Sequence, residues 1–74
     1  MKIEEVMRKI GEESKRAERK HGPADWFRHH FYGIMLEEVD ELWEAIKENK
    51  PSADIEAEIV QIASLCVRYL ERKF

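Results

Sequence analysis

The chain carries Glu38-x-x-Glu41, a gap of sixteen residues, and then Glu58-x-x-Gln61. A separation of three puts two side chains on adjacent turns of one helix face, so each pair would present its oxygens together. Drawn at about 100° per residue, the helix through Glu38 has a broad apolar arc made by Phe31, Met35, Leu36, Val39, Leu42, Trp43 and Ile46, widened by Ile34 and Ala45. Glu38 falls inside that arc and Glu41 at its border, whereas Glu37, Asp40, Glu44, Lys47 and Glu48 fill the opposite arc as a solvated face should. A second wheel repeats the anomaly. Ile55, Ile59, Ile62, Cys66 and Leu70 form its apolar centre, Leu65 and Tyr69 widen it, and Glu58 lies between those two. Asp54 and Gln61 flank Glu58 on the same stripe, which Arg68 and Arg72 continue.

A carboxylate among apolar neighbours is costly unless it is protonated, paired with a cation or bound to a metal. One such glutamate would be read as the partner of a Lys or Arg on another helix or subunit. Two of them, on separate helices and at the same spacing, favour a shared cation. Glu38, Glu41 and Glu58, with Gln61 or Asp54, would give oxygen ligands to one or two hard cations, for which Mg²⁺ is the expected ion and Mn²⁺ its substitute.

Three helices must position these groups. Gly22-Pro23 and Lys50-Pro51 punctuate the chain, because proline cannot continue a helix and disfavours helix in the residue before it. The spacing predicts helices over residues 3–20, from 25 or 27 to 47, and over 53–72, with Ser52 as N-cap of the last. Ile3, Val6, Met7, Ile10, Ser14 and Ala17 share one face of the first. The connector concentrates His21, Trp26 and Phe27 ahead of Arg28, His29 and His30, and a loop so rich in aromatic and titratable groups suggests function, although Trp26, Phe27 and Phe31 could equally close the end of a bundle. The fold class expected for residues 1–74 is all-α, a single three-helix domain.

A chain of 74 residues buries a small core, and its apolar arcs exceed what two neighbours can cover, so assembly into an oligomeric helical bundle, a homodimer or homotetramer, is expected. Disulfides cannot substitute, because Cys66 is the lone cysteine and reads as a packed thiol in a reducing compartment. With 13 basic and 16 acidic residues interspersed, the net charge of -3 gives no general attraction to nucleic acid polymers or membranes. No run approaches the roughly 20 apolar residues of a bilayer span, and residues 1–5 carry no targeting pattern, so the expected location is the cytoplasm.

The acidic pairs resemble the Glu-x-x-Glu, spacer, Glu-x-x-Asp signature of the MazG-like all-α nucleoside triphosphate pyrophosphohydrolases. The likeness extends from about residue 16 to 70 and includes Lys20-His21-Gly22, the string Leu36-Glu37-Glu38-Val39-Asp40-Glu41-Leu42-Trp43-Glu44, and Ile59-Val60-Gln61-Ile62-Ala63. It implies Mg²⁺-dependent hydrolysis of (deoxy)nucleoside triphosphates between the α and β phosphates, with Glu38, Glu41 and Glu58 as catalytic metal ligands. Gln61 stands where the family usually has Asp, a neutral ligand in place of a charged one. Under the same resemblance Lys20 and Arg68 are candidates for phosphate contacts and Trp26 for stacking on the base. A different class of function is a catalytically idle helical module that dimerises or docks a partner, its carboxylate cluster decayed at Gln61.

Overall fold

The computed structural model describes residues 1–72, which form three helices: α1 (Ile3–His21), α2 (Arg28–Lys47) and α3 (Ser52–Glu71). Each boundary has a local cause. Glu4 and Glu5 open α1, and Arg19, Lys20 and His21 close it, both complementing the helix dipole. Gly22 ends α1 with φ 82, a conformation side chains with a Cβ resist, and its N–H donates to the Glu18 carbonyl at 2.8 Å. The second helix begins at Arg28, after an extended Phe27, one residue beyond the later of the two expected starts. At its other end Asn49 takes the left-handed region (φ 54), Lys50 N–H donates to the Ala45 carbonyl at 3.0 Å and Asn49 N–H to that of Ile46 at 3.1 Å. That is a Schellman termination, with Pro51 blocking any continuation. The expected N-cap at Ser52 is corrected: Ser52 is the first helical residue, Pro51 occupies the cap without a side-chain bond, and Asp54 provides the acidic first turn. Pro51 serves because its fixed φ suits a helix entry and its carbonyl accepts from Asp54 and Ile55 N–H.

α3 is the central element. Both α1 and α2 pack on it, and among the described residues they do not pack on each other. α1 runs parallel to α3, since the Ser14 hydroxyl donates to the Ser64 carbonyl at 3.4 Å and Arg68 Nη2 donates to the Gly22 carbonyl at 2.8 Å. α2 runs antiparallel, its Phe31 ring stacked on Tyr69 at 4.2 Å between centroids. Small residues permit the close approach: Ser14 and Ala17 of α1, Ala45 of α2 and Ser64 of α3 are all buried.

The core is thin. Among the described residues Ala17, Ala45 and Leu65 are its buried apolar side chains, and no large side chain is fully buried. The apolar arc of α2 is divided in consequence: Phe31, Ile34, Met35 and Leu42 are half-buried, whereas Tyr32, Leu36, Val39, Trp43 and Ile46 are exposed. Ile3 and Met7 of α1 and Ile59 and Leu70 of α3 are exposed as well. Cys66, expected to be packed, is half-buried. Among the described residues no helix is long and apolar enough to cross a membrane.

Candidate metal centre and adjoining cleft

The antiparallel pairing of α2 with α3 brings the two acidic segments face to face. Glu38, Glu41 and Glu58 each offer a carboxylate oxygen within 4.8 Å of the others. Glu38 and Glu58 are half-buried, as their positions inside apolar arcs require, and the border residue Glu41 is exposed. One oxygen of Glu38 and one of Glu58, Oε2 in each case, is buried with no hydrogen-bond partner. Among the described residues the ion pairs are Arg8–Glu12, Arg16–Glu13, Lys47–Glu44 and Lys50–Glu48, so no described Lys or Arg forms an ion pair with the three.

The electrostatics follow from that crowding. Burial, then the neighbouring charges of Glu41 and Glu58, raise the pKa of Glu38 from the ordinary 4.5. Burial, then Glu41 and Asp54, raise that of Glu58. Unpaired buried oxygens and mutual repulsion are both relieved by a cation, and an all-oxygen carboxylate set suits Mg²⁺ or Mn²⁺. The residues present therefore fit a hard divalent ion.

The remaining sequence candidates gather one turn further along α3. A cleft of about 500 Å³ is lined by Glu13, Arg16, Ala17, Lys20 and His21 of α1, Trp26 of the connector, Ile34 and Glu38 of α2, and Gln61, Ser64, Leu65 and Arg68 of α3. Lys20, Trp26, Gln61 and Arg68 thus share one cleft with Glu38, while Glu41 and Glu58 line a separate acidic groove of about 460 Å³ with Asp54, Asp40, Glu44 and Glu48. Trp26 does not stand free in the cleft: the Arg68 guanidinium lies 5.0 Å from its ring centroid and Phe31 stacks beside it at 6.3 Å. Phe27, also considered for the bundle end, is 78% exposed. Sequence reasoning missed Glu13 and Arg16. Their signal was the i, i+3, i+7 series Glu13, Arg16, Lys20 flanking the small residues of α1, which marks the border of its packed face.

No protein-family model, curated protein or solved structure matches this chain. Its class is therefore defined by architecture and site: a three-helix protein with a central helix and a three-carboxylate cluster between antiparallel α2 and α3.

Proposed function

We propose that this protein is a Mg²⁺-dependent nucleoside triphosphate pyrophosphohydrolase, cytoplasmic and active as a homodimer or homotetramer. The observation that carries the reading is the convergence of Glu38, Glu41 and Glu58 from two helices, with no ion pair to a Lys or Arg among the described residues. Glu38, Glu41 and Glu58 would hold the ion, and Gln61, on the next turn of the Glu58 stripe, would add an uncharged oxygen. A Mg²⁺ held by these residues would supply neutralisation of triphosphate charge and a more acidic water. One glutamate of the cluster accepts the proton as that water attacks the α phosphorus, the bond to the bridging oxygen breaks, and pyrophosphate leaves. Lys20 and Arg68 face phosphate, and Trp26 lies beside the bound nucleotide. A screen for pyrophosphate release across common and modified nucleoside triphosphates with Mg²⁺ tests this; release from none of them would defeat it.

Self-association is supported by the exposed stripe Tyr32, Leu36, Val39, Trp43 and Ile46, whose alternating spacing of four and three is that of a helix-pairing seam. Sedimentation is expected to give at least a dimer at micromolar concentration, and a stable monomer would count against it. The same stripe, with Gln61 in place of an acidic ligand, favours the second reading, an idle docking or dimerisation module. Mg²⁺ or Mn²⁺ raises the melting temperature of a metal site by mass action and leaves an idle module unchanged.

A further inference from the structure

The connector between α1 and α2, residues 22–27, is tied to α3 near both of its ends by one side chain. Arg68, only 8% exposed, donates from Nη2 to the Gly22 carbonyl at 2.8 Å, and its guanidinium lies 5.0 Å from the ring centroid of Trp26. Between those ties Pro23 and Asp25 are exposed. The connector also runs between two clefts. His21 and Trp26 line the cleft of about 500 Å³ described above, Pro23, Ala24 and Asp25 line another of about 590 Å³, and Arg68 lines both.

Lifting the connector would separate no pair of helices, because among the described residues α1 and α2 pack on α3 and not on each other. Its ends suit hinges, which fall at loop or helix-terminal positions able to absorb a change of backbone angle. Gly22 has φ 82 although a Cβ there would meet nothing within 4 Å, so the turn of the backbone and not close packing calls for glycine. Phe27 is extended and caps α2 without a side-chain hydrogen bond.

We infer that residues 22–27 form a strap, clasped by Arg68, that opens as a unit while the three helices stay packed, and that its opening joins the two clefts. The strap thereby controls access to the site of the proposed function, and it rests on that reading only for what the cleft admits. Arg68 is the positioning residue of the strap.

Digestion of the native full chain with chymotrypsin, which cuts after aromatic residues, tests the inference at a series of low urea concentrations with no nucleotide present. Mass spectrometry identifies the fragments and circular dichroism follows the helices. Cleavage after Trp26 and Phe27 is expected at a rate nearly independent of urea, because opening a strap exposes little surface, whereas cleavage after Tyr32 and Tyr69, inside helices, should rise steeply with urea. Arg68→Lys keeps the charge but loses the forked geometry, and should speed strap cleavage about tenfold, the worth of one charge-assisted hydrogen bond. Trp26→Leu leaves the Gly22 tie in place and should speed cleavage after Phe27 about threefold through loss of the cation–π contact. A merely structural loss would act through global unfolding and carry its steep urea dependence. Strap cleavage as urea-dependent as helix cleavage in the parent chain overturns the inference, and so do folded variants cut at the parent rate. If Arg68→Lys fails to fold, the parent chain and Trp26→Leu still decide. Because nucleotide is absent, the strap and the hydrolase reading fail separately.

Discussion

One face of α3 presents two neighbourhoods of opposite charge. Toward its N-terminus Asp54 and Glu58 meet Asp40, Glu41, Glu44 and Glu48, with Lys50, across an acidic groove; toward its C-terminus Arg68 meets Arg16, Lys20 and His21 across a cleft that Glu13 and Glu38 also line. The stripe on α3 changes sign along its length, from Asp54 and Glu58 to Arg68, and the neighbouring helices reinforce each end. Antiparallel α2 brings its acidic C-terminal half to the start of α3, and parallel α1 brings its basic last turns to the end. The carboxylate cluster sits at the boundary. Under the proposed function a cation would be drawn to one side and phosphates to the other, a division that a single-sign cleft could not provide.

The largest expected effect comes from removing charge at the boundary. Glu38→Gln and Glu58→Gln should each lower nucleotide hydrolysis by at least about a hundredfold, because the proposed chemistry would rely on an ion held by few ligands. Gln61→Asp, which adds a charge on the same stripe, is expected to retain activity. Steady-state assays at saturating Mg²⁺ decide this, and a Glu38→Gln protein of undiminished rate would remove the acidic side from the account.

At the basic end, Gly22→Ala is expected to cost about 1 to 3 kcal/mol, since φ 82 with ψ -178 is a region open essentially to glycine alone. The same change disturbs the carbonyl that accepts from Arg68, so the urea midpoint should fall, and an unchanged midpoint would contradict the strain at Gly22.

The two neighbourhoods also titrate in opposite senses. Glu38 and Glu58 have raised pKa values, so from the ordinary 4.5 up to the folded value the native state holds protons that the unfolded chain has released, and stability falls as pH rises. Glu13 is lowered by its hydrogen bond to Arg16, partly opposed by burial; its contribution is present above the unfolded value and is lost as pH falls through the folded one. Urea midpoints measured in EDTA across mildly acidic pH should therefore flatten on the neutral side in the Glu38→Gln, Glu58→Gln double variant, and on the acid side in Glu13→Gln. Identical profiles for all three proteins would contradict the assignment.

Much of this arrangement was legible beforehand. Proline and glycine punctuation located the helices to within a few residues, and Glu38 and Glu58 were conspicuous because a helix wheel exposes any charge inside an apolar arc. The cleft was harder to see. Glu13 and Arg16 lie on the border of the α1 face, where charges are ordinary, and only the parallel packing of α1 on α3 turns them toward Arg68. Nor does periodicity tell which part of a wide apolar arc is covered within the chain: on α2 the covered side is the one bearing Ala45, small enough to let α3 approach.

The most direct test of the central claim is a set of thermal melts of the parent protein, Glu38→Gln and Glu58→Gln, each in EDTA and in Mg²⁺. Like charges held close disfavour the charged state, so in EDTA each variant is expected to be as stable as the parent or more stable by about 1 kcal/mol, and Mg²⁺ should stabilise the parent alone. If either glutamate instead balances a buried cation, as across a subunit contact, its Gln variant should lose about 3 to 5 kcal/mol in EDTA. That loss, with Mg²⁺ making no difference to the parent, would contradict the metal centre.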